Sequence, residues 1–253
     1  MKRLLLFLSI LYIASPSQAQ VTNQDSLRIA DATSALPPKK PKLGARANDH
    51  VMLQFGVASL GSVPDSMKTS GFSRFFNFYV MIDKPFKNSP KFSFAFGGGI
   101  GTDNYYFKNT YVDLKSNTVR LPFTNVANAN HFKKFKLTTI FLEAPIELRF
   151  VSNAANSDKS FKAAIGAKVG LLMKSYTKGK DLQDAKGNSL YGSKYIAKEI
   201  DKSFLNGTRL ALTGRMGYGN FTLSGTWQVS SFLRENAGPD IRPFNVGLTV
   251  SGL

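Results

Sequence analysis

The sequence predicts an all-β protein: an eight-stranded antiparallel up-and-down transmembrane β-barrel that follows an N-terminal signal peptide and a flexible leader. Three observations predict this fold class. From residue 50 onward apolar side chains recur at every second position, which is the period of a strand. The alternating segments are about 10–15 residues long, which exceeds the usual soluble strand and suffices for a tilted membrane strand. Their connections alternate between short and long, as in barrels of outer membranes.

The first element is a targeting segment at residues 1–19. Two basic residues, Lys2 and Arg3, precede an apolar run over residues 4–14, and Ser17 and Ala19 stand at the small-residue positions of a cleavage site. The apolar run is too short to span a bilayer as a helix. We therefore expect the chain to be exported and cleaved near Ala19.

The second element is a polar leader over residues 20–49, which contains the stretch LPPKKPKLGARAND. Its prolines favour extended polyproline geometry, and its lysines keep the chain solvated. A segment of this composition rarely folds alone. The sequence predicts a disordered periplasmic leader, with a docking segment as the alternative.

Composition limits the partners and the chemistry. The chain has 253 residues, a formal net charge of +17 and no cysteine, which excludes disulfides and thiolate metal sites. On a cytosolic protein this charge would suggest nucleic acid. For an exported chain the expected partners are instead outer-membrane lipid and lipopolysaccharide, or an acidic protein of the cell surface or the secretion machinery, and no nucleic acid.

The third element is the barrel itself, over residues 50–253. Period-two alternation marks eight segments, an even number as this architecture requires. The predicted strands lie near residues 50–60, 72–83, 91–106, 137–151, 160–176, 205–219, 220–232 and 242–252.

The stretch TIFLEAPIELRF at residues 139–150 shows how the faces are assigned. Its even positions are apolar and its odd positions carry Glu143, Glu147 and Arg149. A soluble barrel would turn the apolar face inward. The opposite assignment is favoured here because the polar faces are rich in small residues and the apolar faces are flanked by aromatic residues, as at membrane interfaces. The candidate interface aromatics are Tyr105, Tyr106, Phe107, Phe132, Phe135, Tyr176 and Tyr218.

With this facing, charged side chains point into the lumen and need partners, because an unpaired buried charge is costly. The candidate site is therefore a lumenal charge network that fills the barrel and fixes the strand register. Its predicted members are Glu143, Glu147, Arg149, Lys162, Lys168, Arg209 and Arg215. Pro145 cannot donate to the ladder, so a bulge or weakened pairing is expected beside it.

The stretch FLEAPIELRF resembles the "YLEIPLLLKY"-type strand of the bacterial outer-membrane β-barrel family that includes the PorT-like proteins. Leu142, Glu143 and Pro145 match this motif, whereas Ala144 replaces a larger aliphatic residue and Glu147 is an additional charge. The resemblance covers roughly residues 50–253. It implies an outer-membrane location in a Gram-negative cell envelope, and for some relatives a part in protein secretion.

Catalytic and cofactor signals are weak. The stretch GGGIG at residues 97–101 lacks the Lys-Ser/Thr and the helix of a phosphate loop, so we expect its glycines to allow bending or close packing. A rim enzyme would need His131 as its base, with Asp103 or Asp113 to orient it. No metal-ligand motif is present, and no catalytic residue, metal or cofactor is predicted.

These observations favour a non-enzymatic outer-membrane barrel that acts as a structural or interaction protein, an accessory of protein secretion being one such role. The first alternative is a small porin-like channel, and the second is a hydrolase or acyltransferase at the barrel rim. The basic loop at residues 175–204 is expected to be a solvated surface loop with a short helix near residues 194–202. Contact of this loop with lipopolysaccharide is the alternative.

Overall fold

The computed structural model describes residues 50–61, 63, 67, 69 and 72–252. The predicted signal peptide and leader lie outside these residues. The described part contains eleven strands and a single 3-10 helical turn at Ser157–Lys159. The strands are β1 (Val51–Gly61), β2 (Arg74–Phe86), β3 (Ser89–Phe107), β4 (Thr110–Val112), β5 (Phe123–Asn125), β6 (His131–Val151), β7 (Phe161–Gln183), β8 (Ile196–Ile200), β9 (Thr208–Tyr218), β10 (Phe221–Gln228) and β11 (Arg242–Ser251). Within this part of the chain, no helix has the length and hydropathy needed to cross a membrane.

Eight of these strands close into a barrel. Around the circumference the order is β1, β2, β3, β6, β7, β9, β10 and β11, and β11 pairs back onto β1. Every neighbouring pair is antiparallel. Each barrel strand overlaps one of the eight predicted segments, so the predicted fold class is confirmed, although β6 begins before and β7 ends beyond the predicted bounds. Because the barrel is closed, its wall has no open sheet edge. This matters in a bilayer, where unpaired backbone N–H and C=O groups cannot face hydrocarbon.

The connections distinguish the two ends of the barrel. At one end, the turn end, short connections at residues 87–88, 152–160 and 219–220 join the strands. At the other, the loop end, lie the longer connections that contain the β4–β5 hairpin and β8. In outer-membrane barrels the short turns are periplasmic and the long loops extracellular.

The expected helix near residues 194–202 is wrong, because this segment contains β8. Strand β7 continues to Gln183, whereas its neighbour β9 begins only at Thr208, opposite Leu171. The upper part of β7 would therefore expose unpaired backbone groups on that side. β8 satisfies them, with Tyr176 to Lys180 of β7 paired to Ile200 to Ile196.

The outer wall is apolar and the lumen is polar. In β6, Leu142, Ile146 and Leu148 are exposed, whereas Glu143 and Glu147 between them are only 2% and 4% exposed. The predicted facing is therefore confirmed. Large apolar side chains exposed on the barrel strands are Phe55, Val57, Phe76, Phe78, Val80, Ile82, Phe86, Phe92, Phe94, Ile100, Leu142, Ile146, Leu148, Phe161, Ile165, Val169, Leu171, Met173, Leu210, Leu212, Met216, Tyr218, Phe221, Leu223, Trp227, Phe244, Val246 and Leu248.

A β-bulge interrupts the alternation in β7. Ile140 pairs with Lys174 and the next residue of β6, Phe141, pairs with Leu172, so Met173 is the extra residue. Met173 and Lys174 are both exposed as a result. Strict alternation along β7 would place Lys174 on the lumenal face with Lys162 and Lys168, and the bulge moves it to the outer face.

The bulge does not lie at Pro145. The ladder between β6 and β7 runs through Pro145, which pairs with Lys168. On the other side the ladder with β3 is interrupted between the pairs Phe96–Ile146 and Gly99–Glu143. Pro145 therefore coincides with weakened pairing on one side of the strand, as its missing donor requires.

The loops at the loop end fold over the barrel mouth and form an apolar cap. Leu121 N donates to Ala237 O at 2.8 Å, and Arg234 N donates to Phe204 O at 3.0 Å, so three connections are tied together. The buried members of this apolar cap are Ala58, Leu60, Met67, Phe75, Tyr105, Phe107, Val112, Leu114, Leu121, Phe135, Leu137, Phe141, Leu172, Phe204, Leu205, Phe232, Leu233, Ala237 and Ile241. The prediction of Tyr105, Phe107 and Phe135 as interface aromatics is therefore wrong, since they face inward.

Candidate functional site in the barrel lumen

Glu143 is the centre of a buried ion cluster at mid-height in the lumen. Lys168 Nζ of β7 lies 3.0 Å from Glu143 Oε2, and Arg209 Nη1 of β9 lies 2.9 Å from Glu143 Oε1. The Tyr79 hydroxyl of β2 also donates to Glu143 Oε2. Both carboxylate oxygens are therefore bonded to donors from three other strands.

Asp103 of β3 extends this cluster to the opposite wall. Its Oδ2 pairs with Arg209 Nη2, and its Oδ1 accepts a hydrogen bond of 3.0 Å from Asn245 Nδ2 of β11. The Arg209 guanidinium also stacks on Phe141, with 3.8 Å between Cζ and the ring centroid. We call Tyr79, Asp103, Glu143, Lys168 and Arg209 the upper cluster. Its two carboxylates balance its two cations.

A lower cluster lies one level nearer the turn end, around Glu147. Glu147 Oε2 accepts from Arg149 Nε at 2.8 Å and from Arg215 Nη2 at 3.0 Å. Asp83 Oδ1 lies 4.0 Å from Arg149 Nη1. Lys162 is also buried and pairs with Val151 close to the turn end.

The structure thus places all seven predicted site residues inside the barrel, each no more than 7% exposed. It brings Glu143, Lys168 and Arg209 together in one cluster and Glu147, Arg149 and Arg215 in the other. Lys162 is buried below them. The two clusters are separate levels in the structure, whereas the sequence predicted one network.

Asp83, Asp103 and Tyr79 were not predicted as members. The sequence feature that could have identified them is their position in the alternation. Tyr79 and Asp83 share the odd-numbered, lumenal face of β2 with Asn77, and Asp103 lies on the odd-numbered face of the GGGIG strand. From the sequence, Asp103 is a candidate only for orienting His131, and Asp83 lies at the end of its predicted strand.

The glycines of GGGIG provide the space for the upper cluster. A Cβ on Gly101 would lie 2.6 Å from Glu143 Oε2, and one on Gly99 would lie 2.7 Å from Tyr79 Cδ1. These separations are too short for non-bonded atoms, so any larger residue would displace the buried side chains. The glycines therefore serve close packing.

The lumenal faces of β2, β1 and β11 are linked by neutral hydrogen bonds. Asn77 Nδ2 donates to Gln54 Oε1 at 3.1 Å, and Gln54 Nε2 donates to Thr249 Oγ1 at 3.1 Å. These side chains belong to β2, β1 and β11, the strands beside the upper cluster. Polar side chains of β11, β1 and β2 thus continue the lumenal lining from the upper cluster.

The apolar cap carries its own polar tether outside the membrane-spanning strands. Tyr111 of β4 donates a hydrogen bond of 2.6 Å to Glu199 Oε1 of β8. Burial and this bond raise the pKa of Tyr111 above its ordinary value, so the phenol stays protonated and keeps donating. The tether holds the β4–β5 hairpin against β8.

The residues of the possible rim enzyme are not assembled. His131 Nδ1 lies 3.0 Å from Ala129 O, at the loop end. Asp103 is buried in the lumen with Arg209 and Asn245, and Asp113 accepts from Lys115 N at 3.0 Å. In the part of the chain that the structure describes, no group of three or more potential ligand residues is arranged to hold a metal ion.

A closed barrel with an apolar wall and a polar lumen is the architecture of outer-membrane proteins. The family model described as outer membrane protein beta-barrel domain matches residues 20–231 of the chain. The chain belongs to this family. The match includes the predicted leader and the strands through β10, and β11 lies beyond it. No curated protein and no solved structure matches the chain.

Membership in the outer membrane protein beta-barrel domain family gives the structure its setting. The protein is an outer-membrane β-barrel protein, and its exposed apolar residues face lipid. Removal of one member of either ion cluster would leave a buried charge without its partner, at a cost of about 3–5 kcal/mol. The ion clusters can therefore hold the strands in register.

Proposed function

We propose that this protein is a non-conducting, non-enzymatic barrel that acts as a structural and interaction protein of the outer membrane. The observation that supports this proposal is the filling of the lumen at three heights. The ion clusters occupy the middle and the turn end, and the apolar cap occupies the loop end. An eight-stranded barrel has an interior just wide enough for its side chains, so such filling leaves no aqueous path.

Conductance in a planar lipid bilayer tests the closed lumen. The mature chain, refolded in detergent and inserted at a protein-to-lipid ratio at which a known porin gives steps, is expected to give no stable single-channel steps. Stable steps of uniform size would overturn the proposal in favour of a small porin-like channel. The variant Tyr111→Phe, which lacks the hydrogen bond from Tyr111 to Glu199, is measured in parallel. It shows whether loosening of the loops alone produces transient conductance.

The proposed absence of catalysis rests on the separation of His131 from Asp103 and Asp113. Lipid and peptide substrates incubated with the refolded protein are expected to remain intact. Turnover by the wild-type protein that is lost in His131→Ala would contradict the proposal and support a rim enzyme.

As the finer role we propose an accessory of protein secretion, from the resemblance of FLEAPIELRF to the PorT-like strand motif. In such a role the loops would contact partners outside the cell and the leader would contact partners in the periplasm. Cross-linking in intact cells, followed by identification of the attached proteins, tests this role. Recovery of secretion components through the loops or the leader is expected, and their absence from the cross-linked material would refute it.

A further inference from the structure

The outer face of the loop end carries a dense group of lysines on three adjacent strands. They belong to β6, β7 and β8 and point away from the lumen. This lysine patch consists of Lys134, Lys136, Lys174, Lys178, Lys180 and Lys198. Lys136 pairs with Lys178, and Lys178 pairs with Lys198, so three lysines form one row across three strands. Two residues nearer the loop end, Lys134 pairs with Lys180.

Such a row is unfavourable by itself. Side chains directly opposite each other in an antiparallel pair have Cβ atoms about 4.5–5.5 Å apart, and like charges at that spacing repel. Within the described ranges, none of the six ammonium groups forms an ion pair with a carboxylate. An anion from outside the chain would relieve this repulsion.

The nearby carboxylates of the same strands are turned away from the patch. Asp181 of β7 is buried and accepts from Ser189 Oγ at 2.5 Å. Glu199 of β8 faces the β4–β5 hairpin, where it accepts from Tyr111. The strand alternation that exposes the lysines thus removes the acidic groups from the outer face.

Neutral neighbours hold two of the lysines in place. Lys136 Nζ donates to Asn104 Oδ1 at 2.6 Å and lies 5.8 Å from the centroid of the Tyr106 ring. Lys198 Nζ lies 4.2 Å from the centroid of the Tyr176 ring. These contacts leave the positive charge of both ammonium groups uncompensated while restricting their motion, which lowers the entropic cost of binding an anion.

The patch begins where the apolar wall ends. Lys174 pairs with Ile140, directly above the exposed Leu142, Leu171 and Met173. From Lys174 to Lys180 the strand rises by about 20 Å before tilt, at about 3.3 Å per residue. The patch therefore starts at the level of the lipid headgroups and extends outward from them, on the extracellular side given by the long loops.

We propose that the lysine patch binds the phosphate groups of a phosphorylated glycolipid in the outer leaflet, the lipid A portion of lipopolysaccharide. Phosphates supply the missing charge, and lysine ammonium groups bind phosphate as point charges. The exposed Ile196 and Ile200 on either side of Lys198 continue the lipid-facing wall, which suits an amphipathic lipid. This inference goes beyond the proposed function, since it depends on the outer-membrane setting and not on a closed lumen.

Lipid A binding to the refolded full mature chain tests the proposal. The protein in neutral detergent is titrated with lipid A, with enzymatically dephosphorylated lipid A as the second ligand, and bound lipid is counted by native mass spectrometry. The test variant is Lys136→Gln with Lys178→Gln and Lys198→Gln. The matched control removes three exposed lysines of the turn end: Lys87→Gln, Lys91→Gln and Lys159→Gln.

The wild type and the control are expected to bind lipid A alike. Each basic residue at an anionic membrane surface raises the affinity about fivefold. The test variant, which lacks three of them, is therefore expected to bind lipid A roughly 100-fold more weakly. Wild-type protein should bind dephosphorylated lipid A as weakly as the test variant binds lipid A. The replacement of the same three lysines by arginine keeps the charge and is expected to retain binding.

Two results would overturn the proposal: equal binding of lipid A by the test variant and the wild type, or equal binding of both lipids by the wild type. Tight binding of polyglutamate without binding of lipid A would also overturn it and point to an acidic protein partner. Folding is checked independently by the electrophoretic shift between unheated and heated samples. The conductance and turnover measurements do not use this patch, so the two proposals can fail separately.

Discussion

Replacement of Glu143 by glutamine removes one charge from the upper cluster without changing its shape. Glu143 holds Lys168 at 3.0 Å and Arg209 at 2.9 Å. Arg209 keeps a second carboxylate, Asp103, whereas the other side-chain contact of Lys168 is the neutral Tyr79 hydroxyl at 3.1 Å. The charge left without compensation is therefore that of Lys168.

From this geometry we expect Glu143→Gln to lower the free energy of unfolding by about 3–5 kcal/mol, the usual cost of removing one partner of a buried ion pair. Addition of Lys168→Met removes the uncompensated charge and is expected to recover at least about 2 kcal/mol, since a buried pair replaced by neutral side chains is often tolerated. The two substitutions are thus predicted to be strongly non-additive.

Denaturant unfolding in lipid vesicles measures these free energies, and Trp227, the only tryptophan, reports on them. It is 47% exposed on the outer wall, so its fluorescence changes when it leaves lipid. Glu235→Gln, on an exposed loop, is the matched control and should change stability by less than about 0.5 kcal/mol. A Glu143→Gln protein within about 1 kcal/mol of the wild type, or an additive double variant, would refute the reasoning.

Three further predictions follow from packing and facing. Gly101→Ala is expected to destabilise the barrel by about 1–3 kcal/mol in the same assay, because its Cβ would lie 2.6 Å from the Glu143 carboxylate, whereas Gly225→Ala meets open space and should be neutral. Leu148→Arg is expected to impair insertion into vesicles far more than Thr226→Arg, since a lipid-facing cation costs about 2–4 kcal/mol at the membrane midplane and the lumen is polar; equal assembly would contradict the facing. Leu205→Ala in the apolar cap should cost about 2–5 kcal/mol locally and speed proteolysis of the loops while the barrel stays folded; unchanged cleavage rates would show that the cap does not depend on this side chain.

Strand position and facing could be predicted from the sequence because both depend on local alternation. In β6 the period of two places Glu143, Glu147 and Arg149 on one face and Leu142 and Leu148 on the other, and no neighbour needs to be known. The choice of face rests on the small residues of the polar faces and on the aromatic residues that flank the apolar faces.

The remainder depends on contacts between distant segments. The bulge at Met173 arises from the pairing of β6 with β7. The sequence around Lys174 therefore does not predict that Lys174 faces outward. β8 forms because β7 extends beyond the start of β9 and needs another pairing partner there. The apolar cap depends on contacts between different loops, such as the β-bridge between Leu205 and Leu233. The loop sequences have no regular hydrophobic period, so these long-range contacts cannot be predicted from them.

The ion clusters bear on how the closed barrel selects its register. A slip of β6 by one residue would turn Glu143 into lipid, and the hydrophobic pattern alone forbids it. A slip by two residues keeps the facing, so the apolar wall cannot exclude it. That slip would bring Phe141 or Pro145 to the level of Lys168 and Arg209 and leave buried cations without their carboxylate. Since the partners of Glu143 come from β2, β7 and β9, the contacts form fully only when the strands have closed in the correct register. The charges thus discriminate among the registers that the alternation of the wall leaves equivalent.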